Sequence, residues 1–303
     1  MTPYLPTGTT PPLNCRTRKL DFSDGPKVMG ILNTTPDSFH DGGTLTGPNG
    51  KLDLGLALER SRMMLRQGAD IIDIGGESSR PGARVIGTDE EIQRTAPLIE
   101  LLRSESDALI SIDTYKAAVA EAALLAGADI VNDISGFSFD SAMPSICRRF
   151  DAAAVLMHTP ARPADMQWST RIPDSSDDIT ATIMHHLEEA VRRAESAGVQ
   201  DIIIDPGFGF GKSVEENFRL LRRLGEFRST KRPVLVGLSR KSFLAHIAAP
   251  EGELVRPTAE RFSATLAAET LAILNGADII RTHDAEAAKT CIRVVQATMG
   301  MRK

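Results

Sequence analysis

One short pattern recurs along the chain and constrains its fold more than any other feature. A glycine, a short link and a run of branched apolar residues occur together in GADIIDI (68–74), GADIVND (127–133) and GADIIR (276–281), with a looser copy in GVQDIIID (198–205). Glycine is the expected residue just past a helix end, because it adopts the left-handed backbone conformation without a steric penalty. A strand that is apolar on both faces suits a parallel sheet covered by helices. Each copy therefore predicts a helix end followed by a buried parallel strand.

Further strands and helices can be placed between these copies. Four more apolar runs predict strands at 28–32, 109–112, 153–157 and 233–236. Apolar residues at helical spacing predict helices at 52–66, 90–102, 116–126, 141–150, 178–197, 214–224, 261–275 and 285–298. Eight strands then alternate with eight helices in 303 residues, which favours a single-domain (β/α)8 barrel of the α/β class over an open doubly wound sheet. We predict a loosely ordered arm at 1–26 and the barrel at 27–303.

Charge and cysteine usage argue against several classes of protein. The net charge of −5 provides no basic field for a nucleic acid partner. No apolar run approaches the roughly 18 residues that a membrane span needs, and the N-terminus lacks a secretory apolar segment, so no membrane association is expected. Cys15, Cys147 and Cys291 lack metal-ligand or redox spacing. They fit a reducing compartment, so we expect a cytoplasmic location.

Polar residues collect where the predicted strands end. Taken in strand order, these residues are Asn33, the segment GGESSRPG (75–82), Asp113, Asn132 with Asp133, His158, Asp205, the segment SRKS (239–242), and Arg281 with His283. In (β/α)8 enzymes the carboxyl ends of the strands form the active face. The joint placement therefore predicts a small-molecule site at this rim.

Each of these residues also has a purely structural interpretation. Asp113 could cap the helix that follows it, and Asn132 could satisfy loop backbone. His158 could be a buried wall histidine, and Arg281 could pair with Asp278 or Glu286 on the surface. SRKS could be a solvated basic turn, and the two phenylalanines of GFGF (207–210) could simply pack the wall.

The loop DPGFGFGKS (205–213) is the segment most easily mistaken for a phosphate loop. A Walker loop needs a glycine where Pro206 stands, and a GxGxxG fingerprint begun at Gly207 needs one where Lys212 stands. The glycines are better explained as a sharp bend that leaves Asp205 at the end of a strand. Lys212 is then a helix-start residue with no assigned chemistry.

Seven segments together resemble the dihydropteroate synthase family. They are VMGILNTTPDSFHDGG (28–43), GADIIDIGGESSRPGA (68–83), ISIDT (110–114), GADIVNDISG (127–136), IIIDPGFGFGKSVEENFRLLRRL (202–224), VGLSRKSF (236–243) and IIRTHD (279–284). This resemblance implies a pterin-binding (β/α)8 barrel. It also implies a transferase of folate synthesis that condenses 6-hydroxymethyl-7,8-dihydropterin pyrophosphate with para-aminobenzoate, giving 7,8-dihydropteroate and pyrophosphate.

The resemblance also implies roles for the rim residues. The pterin ring would be bound by Asp113, Asn132, Asp205 and Lys241, and the pyrophosphate by Asn33, Arg281 and His283. Aminobenzoate would contact the loops 34–50 and 76–88 and the start of a later helix. The contact residues would be Phe39, Ser79, Arg80, Pro81 and Ser242. Catalytic roles fall to Asp37, Asp113 and Lys241, with Asp37 helping to stabilise a cation that forms as pyrophosphate leaves. Mg²⁺ would bind near Asn33, held by few protein ligands together with phosphate oxygens and water.

Several further expectations follow from the resemblance. The loops 34–50 and 76–88 would close over the site, the aminobenzoate subsite would be the one that sulfonamide drugs imitate, and the protein would be a homodimer through helices near its C-terminus. Ala161 and His40 depart from the residues usual in the family. Two alternatives stay open: a corrinoid methyltransferase on a related pterin barrel, and a paralogue that binds pterin without turning it over.

Overall fold

The fold is that of a computed structural model, which describes residues 10–35, 45, 52–79, 82–166, 178–248 and 261–300. Its strands are β1 (Leu13–Cys15), β2 (Arg18–Leu20), β3 (Lys27–Asn33), β4 (Ile71–Gly75), β5 (Leu109–Asp113), β6 (Ile130–Asp133), β7 (Ala153–Met157), β8 (Ile202–Asp205), β9 (Leu235–Val236) and β10 (Ile279–Thr282). Its helices are α1 (Leu54–Arg66), α2 (Thr88–Glu105), α3 (Ala117–Ala126), α4 (Met143–Arg149), α5 (Ile179–Ser196), α6 (Val214–Arg222), α7 (Ser242–Ala248), α8 (Phe262–Leu274) and α9 (Ala285–Thr298). Single 3-10 segments cover Pro163–Asp165 and Leu224–Thr230.

Strands β3 to β10 form one parallel sheet in the order β8-β7-β6-β5-β4-β3-β10-β9. The sheet closes because Ile204 of β8 bridges Val234 in parallel, and the Ile204 amide donates to the Pro233 carbonyl over 3.0 Å. Helices run between the strands, so the predicted (β/α)8 barrel is confirmed. The strand predicted at 233–236 is shorter than expected, because only Leu235–Val236 are in regular pairing.

The predicted helix–strand pattern accounts for the barrel wall. All four repeat glycines have a positive φ, from 87° at Gly198 to 115° at Gly127. The strands after them carry isoleucine and valine side chains that are completely buried. Alternate residues of each strand face the barrel interior or the helices, which explains why the runs are predominantly apolar on both faces.

Strand register brings the polar strand ends to a common rim. Asn33 lies opposite Gly75 in the β3–β4 pair, Gly75 lies opposite Asp113 in the β4–β5 pair, and Asp113 lies opposite Asn132 in the β5–β6 pair. On the far side of the barrel, Asp205 ends β8 opposite Met157 of β7. The residues singled out from the sequence therefore surround one opening.

From residue 10 onward, the N-terminal segment that was expected to be a loosely ordered arm contains regular structure. Within it, β1 and β2 form an antiparallel hairpin, with Leu13 opposite Leu20. Buried Leu13, Cys15, Leu20 and Phe22 pack against the first apolar residues of the barrel strands, such as Met29. The hairpin thus covers the end of the barrel opposite the polar rim. Strands of three residues are too short to show a period of two, so their pattern predicted nothing.

Helix α6 follows the glycine loop and is secured at its start by a capping box. The Ser213 hydroxyl accepts from the Glu216 amide, and the Glu216 carboxylate accepts from the Ser213 amide. A reciprocal pair of this kind satisfies two backbone donors that the first turn leaves without partners. Within the ranges described, no helix is long and apolar enough to span a membrane.

Candidate active site

The floor of the rim opening is an arginine held between two acids. The Arg281 side chain from β10 reaches across the barrel, where its Nε donates to Asp73 Oδ2 of β4 over 2.6 Å. Its Nη2 donates to Asp113 Oδ2 of β5, also over 2.6 Å. Short charge-assisted contacts to a planar guanidinium fix its orientation as well as its position. Arg281 is therefore an interior residue, and the alternative surface pairing with Asp278 or Glu286 is wrong: Asp278 instead pairs with Arg228, and Glu286 contacts Gln67.

Asp73 is a site residue that the sequence analysis missed. It is completely buried, and its Oδ2 also accepts from Asn132 Nδ2 over 3.1 Å, so one oxygen serves both Arg281 and Asn132. Its other oxygen, Oδ1, is buried without a hydrogen-bond partner among the described residues. A carboxylate is rarely buried unless it is paired. The acid inside the apolar run IIDIG was the available signal.

Electrostatics at the floor are dominated by burial. Burial raises the pKa of Asp113 to about 7, with Arg281 opposing the shift and Asp73 adding to it. Burial also lowers the pKa of Arg281, but the charges of Asp73 and Asp113 outweigh that effect and raise it overall. The guanidinium therefore stays charged. The Asp113 carboxyl, in contrast, gains or loses its proton near neutral pH.

Asp205 stands on the opposite wall, at the end of β8. Its carboxylate Oδ1 accepts from the Gly207 amide over 2.7 Å, and its carbonyl accepts from the His158 amide over 3.0 Å. Burial raises its pKa, and the Gly207 amide and the charges of Lys241 and Arg281 oppose that shift. The turn requires glycine at 207, because φ is +71° and a Cβ would collide with the His158 carbonyl oxygen.

Lys241 and the phenylalanines line the same wall. Lys241 Nζ lies 4.2 Å from the ring centroid of Phe210, within the range of a cation–π contact. Phe208 is buried and stacks on Phe243 with ring centroids 6.5 Å apart, so it is a packing residue as the structural interpretation held. Ser242 begins α7 directly after Lys241 and is partly exposed.

The residues expected to bind pyrophosphate lie at the β3 and β10 sector of the rim. His283 Nδ1 lies 2.9 Å from the Ser239 hydroxyl, and its amide donates to the same hydroxyl over 3.3 Å. Asn33 is partly exposed at the end of β3. A Cβ placed on Gly75 would lie 3.7 Å from Asn33 Oδ1 and 3.5 Å from the Asp113 Cβ, so Asn33 and Asp113 flank the same glycine.

Several predicted site residues fall outside the part of the chain that the structure describes. Asp37, Phe39, Arg80 and Pro81 lie outside the described residues, as does His40. Ser79 is described and is partly exposed in the segment after β4. Over the described ranges, no group of three or more His, Cys, Asp or Glu side chains is arranged to hold a metal ion.

His158 proves to be buried in the wall rather than open to the rim. Its ring meets His186 edge to face, with centroids 4.9 Å apart, and its Nδ1 lies 3.1 Å from Lys212 Nζ. Burial lowers its pKa well below the usual range, and the Lys212 charge lowers it further, so the ring is neutral near pH 7. Of the two interpretations left open for His158, the buried wall histidine is the one that fits its position.

Fold and site together define a (β/α)8 barrel whose carboxyl-end rim presents acids and cations around a buried floor. The family model described as "Pterin binding enzyme" matches residues 29–283, and the chain belongs to that family and, within it, to the dihydropteroate synthases.

Similar sequences include the dihydropteroate synthase of Synechocystis, which is 42% identical over 290 residues that cover 95% of both chains. A probable bifunctional folylpolyglutamate synthase/dihydropteroate synthase of Haloferax volcanii is 43% identical over 91% of this chain, but this chain spans only 31% of that relative.

Among solved structures, the dihydropteroate synthase of Xanthomonas albilineans with 4-aminobenzoic acid matches with a TM-score of 0.83 and 36% identity, over 96% of this chain and 98% of its own. The Yersinia pestis dihydropteroate synthase in a sulfonamide drug complex matches with a TM-score of 0.85 and 36% identity, over 96% of this chain and 100% of its own.

Proposed function

We propose that the protein is a dihydropteroate synthase. It joins 6-hydroxymethyl-7,8-dihydropterin pyrophosphate to para-aminobenzoate and releases pyrophosphate, which makes it a transferase of folate synthesis. The observation that carries this proposal is the convergence of Asp205, Asp113 and Asn132 on one buried opening, beside the Arg281 guanidinium.

The chemistry of the pterin ring explains why acids and an amide are useful at this floor. One edge of the ring carries an amino group and a ring N–H, and a carboxylate accepts from both as a fork. We assign this role to Asp205, whose carboxylate is already oriented by the Gly207 amide. Asn132 offers both a donor and an acceptor to the remaining ring edge. Leaving a buried polar group without a partner costs about 1–3 kcal/mol, so the site discriminates against flat rings that lack this edge.

Asp113 and Lys241 complete the ring contacts and act in catalysis. The pKa of Asp113 near 7 lets its carboxyl either accept from the ring or donate to it. Lys241 would contact the carbonyl side of the ring as a point charge. Its charge already lowers the pKa of Asp205, which supports a position close to the ring-binding acid.

The reaction breaks the bond from the pterin methylene carbon to the bridging phosphate oxygen and forms a bond from that carbon to the amine nitrogen, which then loses a proton. Departure of pyrophosphate ahead of attack would leave a cation stabilised by the electron-rich ring. Catalysis then depends on stabilising the leaving charge and positioning the amine. We assign the pyrophosphate to Asn33, His283 and Arg281, and Asp37 to the side of the developing cation.

Magnesium fits this arrangement as an ion that the protein and the pyrophosphate coordinate together, rather than as an ion coordinated by protein side chains alone. The donor type present at this sector of the rim is the Asn33 amide oxygen, partly exposed at the end of β3. Mg²⁺ commonly keeps one or two protein ligands and completes its shell with phosphate oxygens and water. Asn33 would hold the ion, which would neutralise charge on the departing pyrophosphate.

The aminobenzoate would lie toward the outside of the opening. We assign its contacts to Ser242 at the start of α7, to Ser79 after β4, and to Phe39, Arg80 and Pro81. Lys241 borders this subsite as well, since it directly precedes Ser242. The similar structures from Xanthomonas albilineans and Yersinia pestis were solved with 4-aminobenzoic acid and with a sulfonamide drug, respectively, which supports a subsite of this kind in the family.

We propose further that the protein is a cytoplasmic homodimer. Four of the eight exposed large apolar side chains in the described residues lie on the last three helices: Ile247 on α7, Phe262 and Leu271 on α8, and Val294 on α9. Their exposed fractions, from 45% to 67%, are large for such side chains and suit a subunit contact. Light scattering after gel filtration measures the mass directly, and a mass of 32.7 kDa would contradict the dimer.

A coupled assay for pyrophosphate release tests the activity. Folded protein with Mg²⁺, the pterin pyrophosphate and para-aminobenzoate is expected to release pyrophosphate, and release should stop when either organic substrate is omitted. Mass spectrometry of the product identifies dihydropteroate. Pterin binding without any release would instead favour the non-catalytic paralogue, and no binding of either substrate would contradict the proposal altogether.

A further inference from the structure

Lys212 is the residue of the glycine loop to which no chemistry has been assigned, and it is almost completely buried, with 1% of its surface exposed. Its Nζ donates to the Gly207 carbonyl over 2.6 Å and to the Phe210 carbonyl over 3.2 Å. The same nitrogen lies 3.1 Å from His158 Nδ1. An ammonium group has three donors and no acceptor. Three acceptors surround it here, and none of them is a carboxylate.

Two of these three partners also bind Asp205. The Gly207 amide donates to the Asp205 carboxylate over 2.7 Å, and the His158 amide donates to the Asp205 carbonyl over 3.0 Å. Gly207 and His158 therefore each contact Asp205 on one side and Lys212 on the other. A shift of the Lys212 side chain would act on Gly207, whose amide orients the Asp205 carboxylate, and on His158, whose amide holds the Asp205 backbone.

We propose that Lys212 is a positioning residue for pterin recognition, which holds the Asp205 carboxylate in its ring-binding orientation through Gly207 and His158. The inference rests on the proposed function, because it assumes that Asp205 binds the pterin ring. Lys212 itself does not reach the rim and is not a catalytic residue.

The charge distribution supports this role. Burial lowers the pKa of Lys212 to about 7, against the opposing charge of Asp205. His158 is neutral, because burial lowers its pKa, so its Nδ1 can accept from the ammonium. A buried lysine without a paired carboxylate is costly to maintain. A buried ammonium beneath the Asp205 turn is explained if the turn needs two carbonyls and an imidazole held together at one point.

The competing explanation is that Lys212 merely stabilises the loop, and the chain offers a matched control for it. Asn217 of α6 is also buried and secures the same loop: its Oδ1 accepts from the Gly209 amide over 2.7 Å. Its Nδ2 donates to the carbonyls of Lys212 and Ser213. None of these bonds involves Gly207 or His158, so Asn217→Ala weakens the loop without releasing the Asp205 turn.

The experiment compares Lys212→Met, Lys212→Gln and Asn217→Ala with wild type. Calorimetric titration gives the dissociation constants of 6-hydroxymethylpterin, which carries the ring without the pyrophosphate, and of inorganic pyrophosphate. Circular dichroism and melting temperature report folding. Lys212→Met is expected to weaken ring binding at least about tenfold, the equivalent of losing one good hydrogen bond, and to change pyrophosphate binding less than about threefold. Lys212→Gln keeps a donor and should recover part of the loss.

Two results would overturn the role. One is ring binding by Lys212→Met within about threefold of wild type. The other is an equal loss in Asn217→Ala at a similar melting temperature, which would reduce Lys212 to a loop anchor. Failure of the wild-type protein to bind the ring would instead count against the proposed function.

If the methionine variant does not fold, the wild-type protein still answers the question. With lysine labelled at Cε with ¹³C, saturation with 6-hydroxymethylpterin is expected to shift the resonance of the buried lysine, while pyrophosphate leaves it in place. Lack of any shift on ring binding would refute the connection between Lys212 and Asp205.

Discussion

Asp73 offers a sharp test of the site's organisation, because a single oxygen of this acid serves two neighbours. Oδ2 accepts from Arg281 and from Asn132, whereas Oδ1 has no partner in the described part of the chain. Asparagine can present its own oxygen to both donors and place its amide nitrogen where Oδ1 lies. Asp73→Asn therefore preserves the geometry and removes the charge, while Asp73→Ala removes both.

The sizes of the two effects can be estimated from the contacts. Removing one partner of a buried ion pair costs about 3–5 kcal/mol. Arg281 keeps Asp113 at 2.6 Å in Asp73→Ala, so we expect a loss near the lower end of that range, about 3 kcal/mol. Hydrogen bonds to charged groups contribute about 1.5–3 kcal/mol and neutral ones about 0.5–1.5, so Asp73→Asn should lose about 1–2 kcal/mol.

A second consequence concerns Asp113. Its pKa of about 7 is raised first by burial and then further by the Asp73 charge, while Arg281 lowers it. Neutralising residue 73 removes the negative charge that repels the Asp113 carboxylate. Asp113 is then the one charged acid that pairs with Arg281 at this floor. The pKa of Asp113 should therefore fall in Asp73→Asn.

Urea unfolding of the ligand-free protein at pH 8 measures the stability losses, and ¹³C-carboxyl NMR against pH measures the Asp113 pKa. Glu105→Gln is the control for loss of an acid, because its partner Arg62 is largely solvated and the pair should contribute far less. The reasoning is refuted if Asp73→Ala loses no more stability than Glu105→Gln, or if the Asp113 pKa is unchanged or higher in Asp73→Asn.

Three further perturbations are expected to separate the roles of individual groups. Asp205→Ala should abolish binding of the pterin ring in a calorimetric titration, and unchanged binding would disprove its assignment. Arg281→Ala should weaken binding of the pterin pyrophosphate far more than binding of 6-hydroxymethylpterin, and equal losses would count against an anion-binding role. Burial raises the pKa of Glu269 from its ordinary 4.5 to about 8, so the folded state keeps a proton that the unfolded state releases and stability falls as pH rises through that window. Glu269→Gln cannot ionise and should lose less melting temperature between pH 5 and pH 8 than wild type, which parallel pH series would detect.

The barrel could be predicted from sequence because its signal is local and repeated. A helix, a glycine and a branched apolar strand recur within a few residues of one another, and each copy places one βα step. The hairpin β1–β2 escaped because its strands of three residues are too short to establish a period of two, and the seven-residue helix α7 was also missed. The hairpin is stabilised by its contacts with one end of the barrel. Most of the strand residues that form this end lie far from the hairpin in the sequence.

The site was predictable only as a set of strand ends. Position at or next to the end of a strand identifies Asp113, Asn132, Asp205 and Arg281, but it does not say which residue each one contacts. Arg281 meets Asp73 and Asp113 at separations of 208 and 168 residues, and these pairings depend on closure of the barrel. Asp73 lies inside its strand rather than after it, so a search for strand-end residues passes over it.

Two acids around one arginine make chemical sense on the proposed function. Pairing with Arg281 favours the ionised form of a carboxyl, because an adjacent cation stabilises the carboxylate. Burial, with the Asp73 charge adding to it, raises the pKa of Asp113 to about 7 against the opposing charge of Arg281, so its carboxyl can present either a donor or an acceptor to a ring whose edge alternates between the two. The opposite acid, Asp205, is held by the Gly207 amide, which favours its ionised form. Burial raises the pKa of both acids, and a different partner opposes that rise at each wall: the Arg281 charge at Asp113 and the Gly207 amide at Asp205.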